Sequence, residues 1–344
     1  MMCKRINMLG ALWFLVITFV HAQYWPVVLM HGINTTNVSM VPVMERIEPE
    51  HHGTFIFNVE IGRGWISSFE ELWHQIDAFA KQIHSREELR GGFHLIAHSQ
   101  GGLLARGYVA KYNDDPTGFH VRNLITWGTP HRGVDGIPYE TSIKPWVCNL
   151  ISRLADVHFL EELVSPTEIW HDPDAKRYKR YINTNFLPVL NNQVGDDEKK
   201  ERYKNNVCAL QNLVLFKSTN DEVIKPQGSA WGCFGRSLDD DPFYTEDWAG
   251  FGTLKKGGRL HLEEVHCTHE DYEIDEEVWQ KTLPFLTKMT PEEEQERAAM
   301  IEAALDAEYD FVAPGGPQRS NSLPILPEGL TSSLMRACSF RNNP

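Results

Sequence analysis

A chain of 344 residues, 42% of them hydrophobic and 10 of them tryptophan, holds enough apolar material for one large core and is excluded from the disordered class. The formal net charge of −14 excludes tight binding to nucleic acid, which needs clustered Lys and Arg that this sequence lacks. The same acidity suits solubility and is compatible with an acidic compartment, where carboxylates and the 15 histidines gain protons.

Lys4 and Arg5 precede an apolar run from Met8 to Val20 that ends at His21 and Ala22, a small-residue cleavage pattern. The run is shorter than the roughly 20 residues a spanning helix needs, so residues 1–22 read as a signal peptide and no transmembrane anchor is expected after its removal. That segment takes Cys3 with it and leaves Cys148, Cys208, Cys233, Cys267 and Cys338, an odd number on an oxidising route. Two disulfides among the first four, with Cys338 as the spare thiol, are the simplest expectation. Asn34-Thr35-Thr36 and Asn37-Val38-Ser39 are glycosylation acceptor triplets, meaningful if the chain enters the secretory pathway.

In chain order, Trp25 to Met30 is a short β-branched apolar run that ends at His31-Gly32 and suits a buried strand delivering a loop. Thr54 to Ile61 is a second strand candidate. Between Ser67 and Ile83, Phe69, Leu72, Trp73, Ile76, Phe79, Ala80 and Ile83 recur at helical spacing. Phe93 to Ala97 reads as a buried strand, Gly101 to Tyr112 as a helix, and Leu124 to Trp127 and Leu213 to Phe216 as further strands. Alternating strands and helices predict a mainly parallel sheet covered on both faces. The stretch from about 134 to 206 carries no defensible strand and is expected to be a helical cap inserted in the sheet. A catalytic domain would then span 23–289. An acidic helix from Pro291 to Tyr309 and a Pro, Gly, Ser and Asn-rich tail, expected to be disordered, fill residues 290–344.

The chemistry centres on Ala97-His98-Ser99-Gln100-Gly101-Gly102, between a predicted strand and a predicted helix. A serine there occupies a sharp, strained turn that lifts its hydroxyl above the sheet edge, and small neighbours let strand and helix approach. Ala97 stands where glycine is usual, a departure of one methyl group. This is the nucleophile turn of the α/β-hydrolase fold, so Ser99 is the expected nucleophile. Its hydroxyl needs a base, and the base needs an acid to fix its tautomer. In this fold the order is Ser, then Asp or Glu, then His. Asp221 follows the Leu213 to Phe216 strand and is the expected acid, with Glu222 beside it as competitor. Of His261, His266 and His269, position favours His269 as base, with His266 the rival. Two backbone N–H donors for the oxyanion are expected from Gln100 and from Ile33, which follows Gly32. No His-Glu-x-x-His, paired Cys-x-x-Cys or phosphate-cradling glycine loop is present in the sequence, so neither a metal nor a cofactor is expected.

Pro26-Val27-Val28-Leu29-Met30-His31-Gly32-Ile33, Gly62-Arg63 followed by Leu72-Trp73, the Ser-Gln-Gly-Gly turn, and Trp170-His171-Asp172-Pro173 with Tyr181, Asn183 and Phe186-Leu187 together resemble the palmitoyl-protein thioesterase family over residues 25 to 288. The resemblance implies a lysosomal enzyme that removes fatty acyl groups from cysteine thioesters. It places the acid in an Asn-Asp pair before Ile-x-Pro, matching Asp221. It places the histidine shortly before a Pro-Phe-Leu helix, favouring His269 over His266. Gly128-Thr129-Pro130-His131-Arg132-Gly133 departs from it and is closer to many secreted lipases.

The expected activity is hydrolysis of fatty acyl thioesters of protein cysteines or acyl-CoA through an acyl-enzyme, in the lysosome or secreted. The acyl chain would lie along the cap, where Trp146 and Trp170, with Phe159, Leu160 and Leu163, are candidate wall residues. A lipase or carboxylesterase acting on oxygen esters is the first alternative. A non-catalytic hydrolase-fold binding protein is the second.

Overall fold

The computed structural model describes residues 24–62, 71–135, 169, 171, 181–183 and 186–312. The expected signal peptide, most of the expected cap with Trp146 and Trp170, Cys148, Cys338 and the tail beyond Val312 lie outside the described residues. Residues 1–302 form one unit; residues 303–344 form a second, described only along a helix to Val312.

Six parallel strands build the sheet: β1 (Val27–Met30), β2 (Ile56–Val59), β3 (Phe93–His98), β4 (Val121–Trp127), β5 (Asn212–Ser218) and β6 (Leu260–Val265), in the order β2-β1-β3-β4-β5-β6. Parallel strands need crossovers, and the helices that supply them cover both faces. The alternation along each strand therefore sorts side chains between two apolar layers. Val28, Met30, Leu95, Leu124 and Leu215 face one layer, and Val27, Leu29, Ile96, Ile125 and Phe216 face the other. This is why β1 reads as an unbroken apolar run and β3 as a run broken before its end by His94 alone.

The helices named here are α1 (Val41–Glu50), α2 (Leu72–Ile83), α3 (Gln100–Tyr112), α4 (Asp197–Cys208), α5 (Glu276–Thr282) and α6 (Pro291–Val312). Helix α2 buries Leu72, Ile76, Phe79, Ala80 and Ile83 on one stripe against the first layer, as their spacing predicts. Side chains of the size of Phe79, Phe93 and Phe216, all fully buried, are each worth about 1.5–3 kcal/mol of burial free energy. Helix α4 is polar but for Tyr203, Val207 and Cys208; Asp196 caps its start by accepting the Lys199 amide at 2.8 Å, and Asn206 Nδ2 donates to the Ala110 carbonyl of α3 at 2.9 Å. On the other face, α1 contributes Val43 and Ile47, and α5 contributes Val278 and Trp279.

β4 starts earlier than its apolar run indicates, and β6 carries no unbroken apolar run at all. β4 begins at Val121 because Asn123, fully buried, has its polar needs met: Nδ2 donates to the Phe285 carbonyl at 2.7 Å and Oδ1 accepts from Asn212 Nδ2 at 3.0 Å. β6 begins at Leu260 and lies at the sheet edge, where partial exposure permits its polar residues.

Among the described residues no disulfide forms, contrary to the expected pair: Cys208, Cys233 and Cys267 are free thiols. Cys233 lies in the apolar layer with α2 and α3 and Cys267 in the opposite layer, so the sheet separates them. Burial pushes both thiols up to about 12, which leaves them unreactive.

Candidate active site

In an open parallel sheet the loops at the carboxyl ends of the strands converge on one edge, and the chemistry-bearing residues of this chain lie there. β3 ends at His98, and Ser99 follows with φ 53° and ψ −129°, a strained backbone for a residue with a side chain. The turn is forced by what surrounds it. Helix α3 starts at the next residue, and a Cβ on Gly101 would run into the carbonyl oxygen of His31. Gly32 is equally close from the β1 side: a Cβ there would stand 3.1 Å from the Ser99 Cβ. Hence the loop that carries Ile33 runs directly past the serine, and Gln100 opens the helix beside it.

His31 holds that loop in shape. Its Nδ1 donates to the Gly32 carbonyl at 2.8 Å and its Nε2 accepts the Ile61 amide at 3.3 Å, so the ring is neutral. Burial lowers its proton affinity in the same direction. Thr35 Oγ1 also donates to the Gly32 carbonyl, at 2.9 Å.

Asp221 and His269 arrive from the two strands at the far side. The Asp221 side chain turns back on its own loop, where Oδ1 accepts the amides of Val223 and Ile224, each at 2.9 Å. Its Oδ2 accepts from His269 Nδ1 at 2.8 Å, and His269 Nε2 lies 2.9 Å from Ser99 Oγ. A carboxylate at Nδ1 fixes the proton there, so Nε2 is free to accept from the serine hydroxyl. The three residues are 7%, 3% and 6% exposed in the order Ser99, Asp221, His269, so all are buried and their bonds are shielded from competing water.

The competitors sit elsewhere. Glu222 points to solvent. His266 Nδ1 pairs with Thr219 Oγ1 at 2.6 Å on an exposed surface, and His261 packs on Phe285 with Nε2 2.9 Å from Asn212 Oδ1. The acceptor triplets follow Ile33 directly: Asn34 is exposed, whereas Asn37 is half-buried and its carbonyl accepts from Asn58 Nδ2 at 2.7 Å. Trp146 and Trp170, named for the acyl groove, lie outside the described residues.

One buried pair beside the serine carried no signal in the sequence. His98 Nδ1 is 2.8 Å from Glu273 Oε1, with both side chains 7% exposed. A histidine before Ser99 and a glutamate in an acidic stretch are unremarkable until the fold joins them.

Comparison with known proteins sets this geometry in a family. A family model described as palmitoyl protein thioesterase matches residues 26–269. Palmitoyl-protein thioesterase 3 of Dictyostelium discoideum is 36% identical over 275 residues, covering 77% of this chain and 90% of that protein. The lysosomal thioesterase PPT2 homolog of Drosophila melanogaster is 31% identical, covering 70% of this chain and 84% of its own. Palmitoyl-protein thioesterase 1 of Caenorhabditis elegans is 28% identical, covering 71% and 86%.

Proposed function

Because the chain belongs to the palmitoyl protein thioesterase family, we propose that it is a serine hydrolase that cleaves fatty acyl thioesters, with Ser99 as nucleophile, His269 as general base and acid, and Asp221 as the group that orients His269. The observation that carries this reading is the single ring of His269 bonded on one side to Asp221 and on the other to Ser99. In the first half of the cycle the Ser99 hydroxyl gives its proton to His269 Nε2 and its oxygen bonds to the acyl carbonyl carbon. The carbon–sulfur bond then breaks, and the departing thiolate takes the proton from His269. In the second half a water molecule gives a proton to His269 and attacks the acyl-enzyme. The fatty acid leaves as Ser99 Oγ recovers the proton, so each cycle consumes one thioester and one water and restores the enzyme.

The tetrahedral oxyanion of each half is met by the backbone N–H groups of Gln100 and Ile33. The support for this pair is that the turn at Ser99 and the glycine at position 32 bring both segments beside the nucleophile. Donors of this kind are worth about 2.7–4 kcal/mol each to the transition state. The substrates are S-acylated protein cysteines or acyl-CoA. The acyl chain is assigned to the segment between β4 and α4, where Trp146 and Trp170 are the candidate wall residues; α4 itself packs on α3 and is not part of a cap. Among the described residues no helix is long and apolar enough to cross a membrane. The names of the relatives support a lysosomal site of action, with secretion as the other destination of a cleaved signal peptide, and exposed Asn34 is the better placed of the two glycan acceptors.

Purified protein lacking residues 1–22 should be assayed on a palmitoyl thioester and its matched oxygen ester, beside Ser99→Ala. Faster cleavage of the thioester, lost in Ser99→Ala, is expected. Preference for the oxygen ester would replace the thioesterase reading with a lipase, in keeping with the Gly128 to Gly133 segment. Turnover of neither would favour a binding protein.

A further inference from the structure

Three side chains account for the proposed reaction, yet a second histidine and carboxylate are buried directly against them. His98 ends β3 one residue before Ser99, and Glu273 lies four residues after His269 on the loop that leads to α5. Besides the 2.8 Å pairing of its Nδ1 with Glu273, His98 has its Nε2 2.9 Å from the backbone carbonyl oxygen of His269. The His98 ring stands 4.9 Å from the His269 ring and 5.6 Å from that of Tyr272, between centroids.

The protonation state follows from the partners. A carbonyl oxygen only accepts, so Nε2 carries a proton. Nδ1 stands against the Glu273 carboxylate in an ion-pair contact that lacks hydrogen-bond geometry. Burial alone would push His98 down, but the Glu273 carboxylate, then Asp221 and the His269 carbonyl, carry it above the ordinary histidine value. Burial would raise Glu273, and the His98 charge overcomes it and holds the carboxyl below its ordinary value. The groups that face His98 are therefore Glu273, Tyr272 and His269 from the loop after β6, Asp221 from the loop after β5, and His31 from the end of β1. Of these, His31 is neutral and Tyr272 is held protonated by its burial, so the carboxylates prevail.

We infer that His98 is a buried imidazolium, held by Glu273, that acts as a positioning residue by bracing the backbone of His269 against the residue bonded to the nucleophile. The inference rests on the proposed roles of Ser99 and His269. One cation joins the end of the nucleophile strand to both ends of a five-residue loop segment, His269 to Glu273, so base and nucleophile are held in one frame. The brace also has a defined pH limit. The proton is present below the raised value of His98 and is lost as pH rises through it, and removing the Glu273 charge moves that limit to lower pH.

Two measurements on the chain without residues 1–22 test this. The first is the ¹⁵N NMR signature of His98 in the wild type, assigned by its loss in His98→Gln. Both ring nitrogens are expected to be protonated at neutral pH, and a neutral His98 ring there would overturn the inference whether or not the protein is active. The second is the pH profile of palmitoyl-thioester hydrolysis by wild type, Glu273→Gln and Glu273→Asp. Glu273→Gln is expected to lower kcat about tenfold to a hundredfold with KM nearly unchanged. It should also bring the alkaline fall of activity down by about one pH unit or more, with partial recovery in Glu273→Asp. A wild-type profile and kcat in Glu273→Gln would overturn the positioning role. Full activity in Ser99→Ala would instead overturn the underlying reading of the site, a result separable from either of these.

Discussion

Ser218 and Cys267 share one hydroxyl: Ser218 Oγ donates to the Cys267 carbonyl at 2.5 Å and accepts the Cys267 amide at 3.0 Å. Ser218 is the last residue of β5, three before Asp221, and Cys267 is two before His269. A single fully buried side chain thus ties the loop that carries Asp221 to the loop that carries His269. Ser218→Ala leaves a buried amide and carbonyl without that partner, which is expected to cost about 1–3 kcal/mol. Because the two loops can then move apart, kcat should fall while KM changes little. Chemical denaturation and steady-state kinetics on the same preparation check both parts, and unchanged stability with unchanged kcat would show the tie to be dispensable.

The orientation of His269 by Asp221 gives a second expectation. In Asp221→Asn the amide can present its nitrogen to Nδ1, which favours the wrong tautomer and puts a proton on the nitrogen that must accept from Ser99. A loss of about 10⁴-fold in kcat is the scale of such a change. His266→Ala, which alters an exposed pair with Thr219, should stay within about twofold of wild type on the scale of ordinary surface substitutions. A large loss in His266→Ala and a small one in His269→Ala would reverse the assignment of the base.

His94 sets a limit on stability in acid. It is fully buried on β3, where Thr287 donates its amide to Nε2 at 3.2 Å. Burial, then the nearby Arg122 charge, lowers it to about 3. The folded pKa is depressed below that of the unfolded chain, so the unfolded state binds the extra proton between about pH 6.5 and pH 3. Stability is therefore lost as pH falls through that window, by up to about 1.4 kcal/mol per pH unit from this group alone, or about 2 kcal/mol at pH 5. His94→Gln keeps an acceptor for Thr287 and removes the titration. Its denaturation midpoint should fall less steeply between pH 7 and pH 5 than that of the wild type, whatever its absolute stability. Parallel slopes would contradict the neutral buried state of His94.

The sequence was most legible where burial on both faces makes a strand almost wholly apolar, as in Val27 to Met30 and, apart from His94, in Phe93 to Ala97, and where a steric requirement leaves few residue choices, as at Gly101. The sequence also singled out Ser99, Asp221 and His269, which the fold brings into one hydrogen-bonded row and whose order along the chain reflects the order of strands that present them; the resemblance to a known family chose between His266 and His269, which position separates only weakly. It was silent on His98 and Glu273, because a pair separated by 175 positions leaves no local pattern. The cysteines misled. Pairing was expected from their number and the secretory route, but number says nothing of which face of the sheet a thiol occupies, and Cys233 and Cys267 occupy opposite faces.

The most direct measurement is capture of the acyl-enzyme. Wild-type protein mixed with a palmitoyl thioester, quenched within the first turnovers and digested, is expected to yield the peptide containing Ser99 with a palmitoyl group attached through an oxygen ester, alongside prompt release of the thiol. Ser99→Ala should give neither. A palmitoyl group on another residue, or thiol release that persists undiminished in Ser99→Ala, would contradict the assignment of Ser99 as the nucleophile.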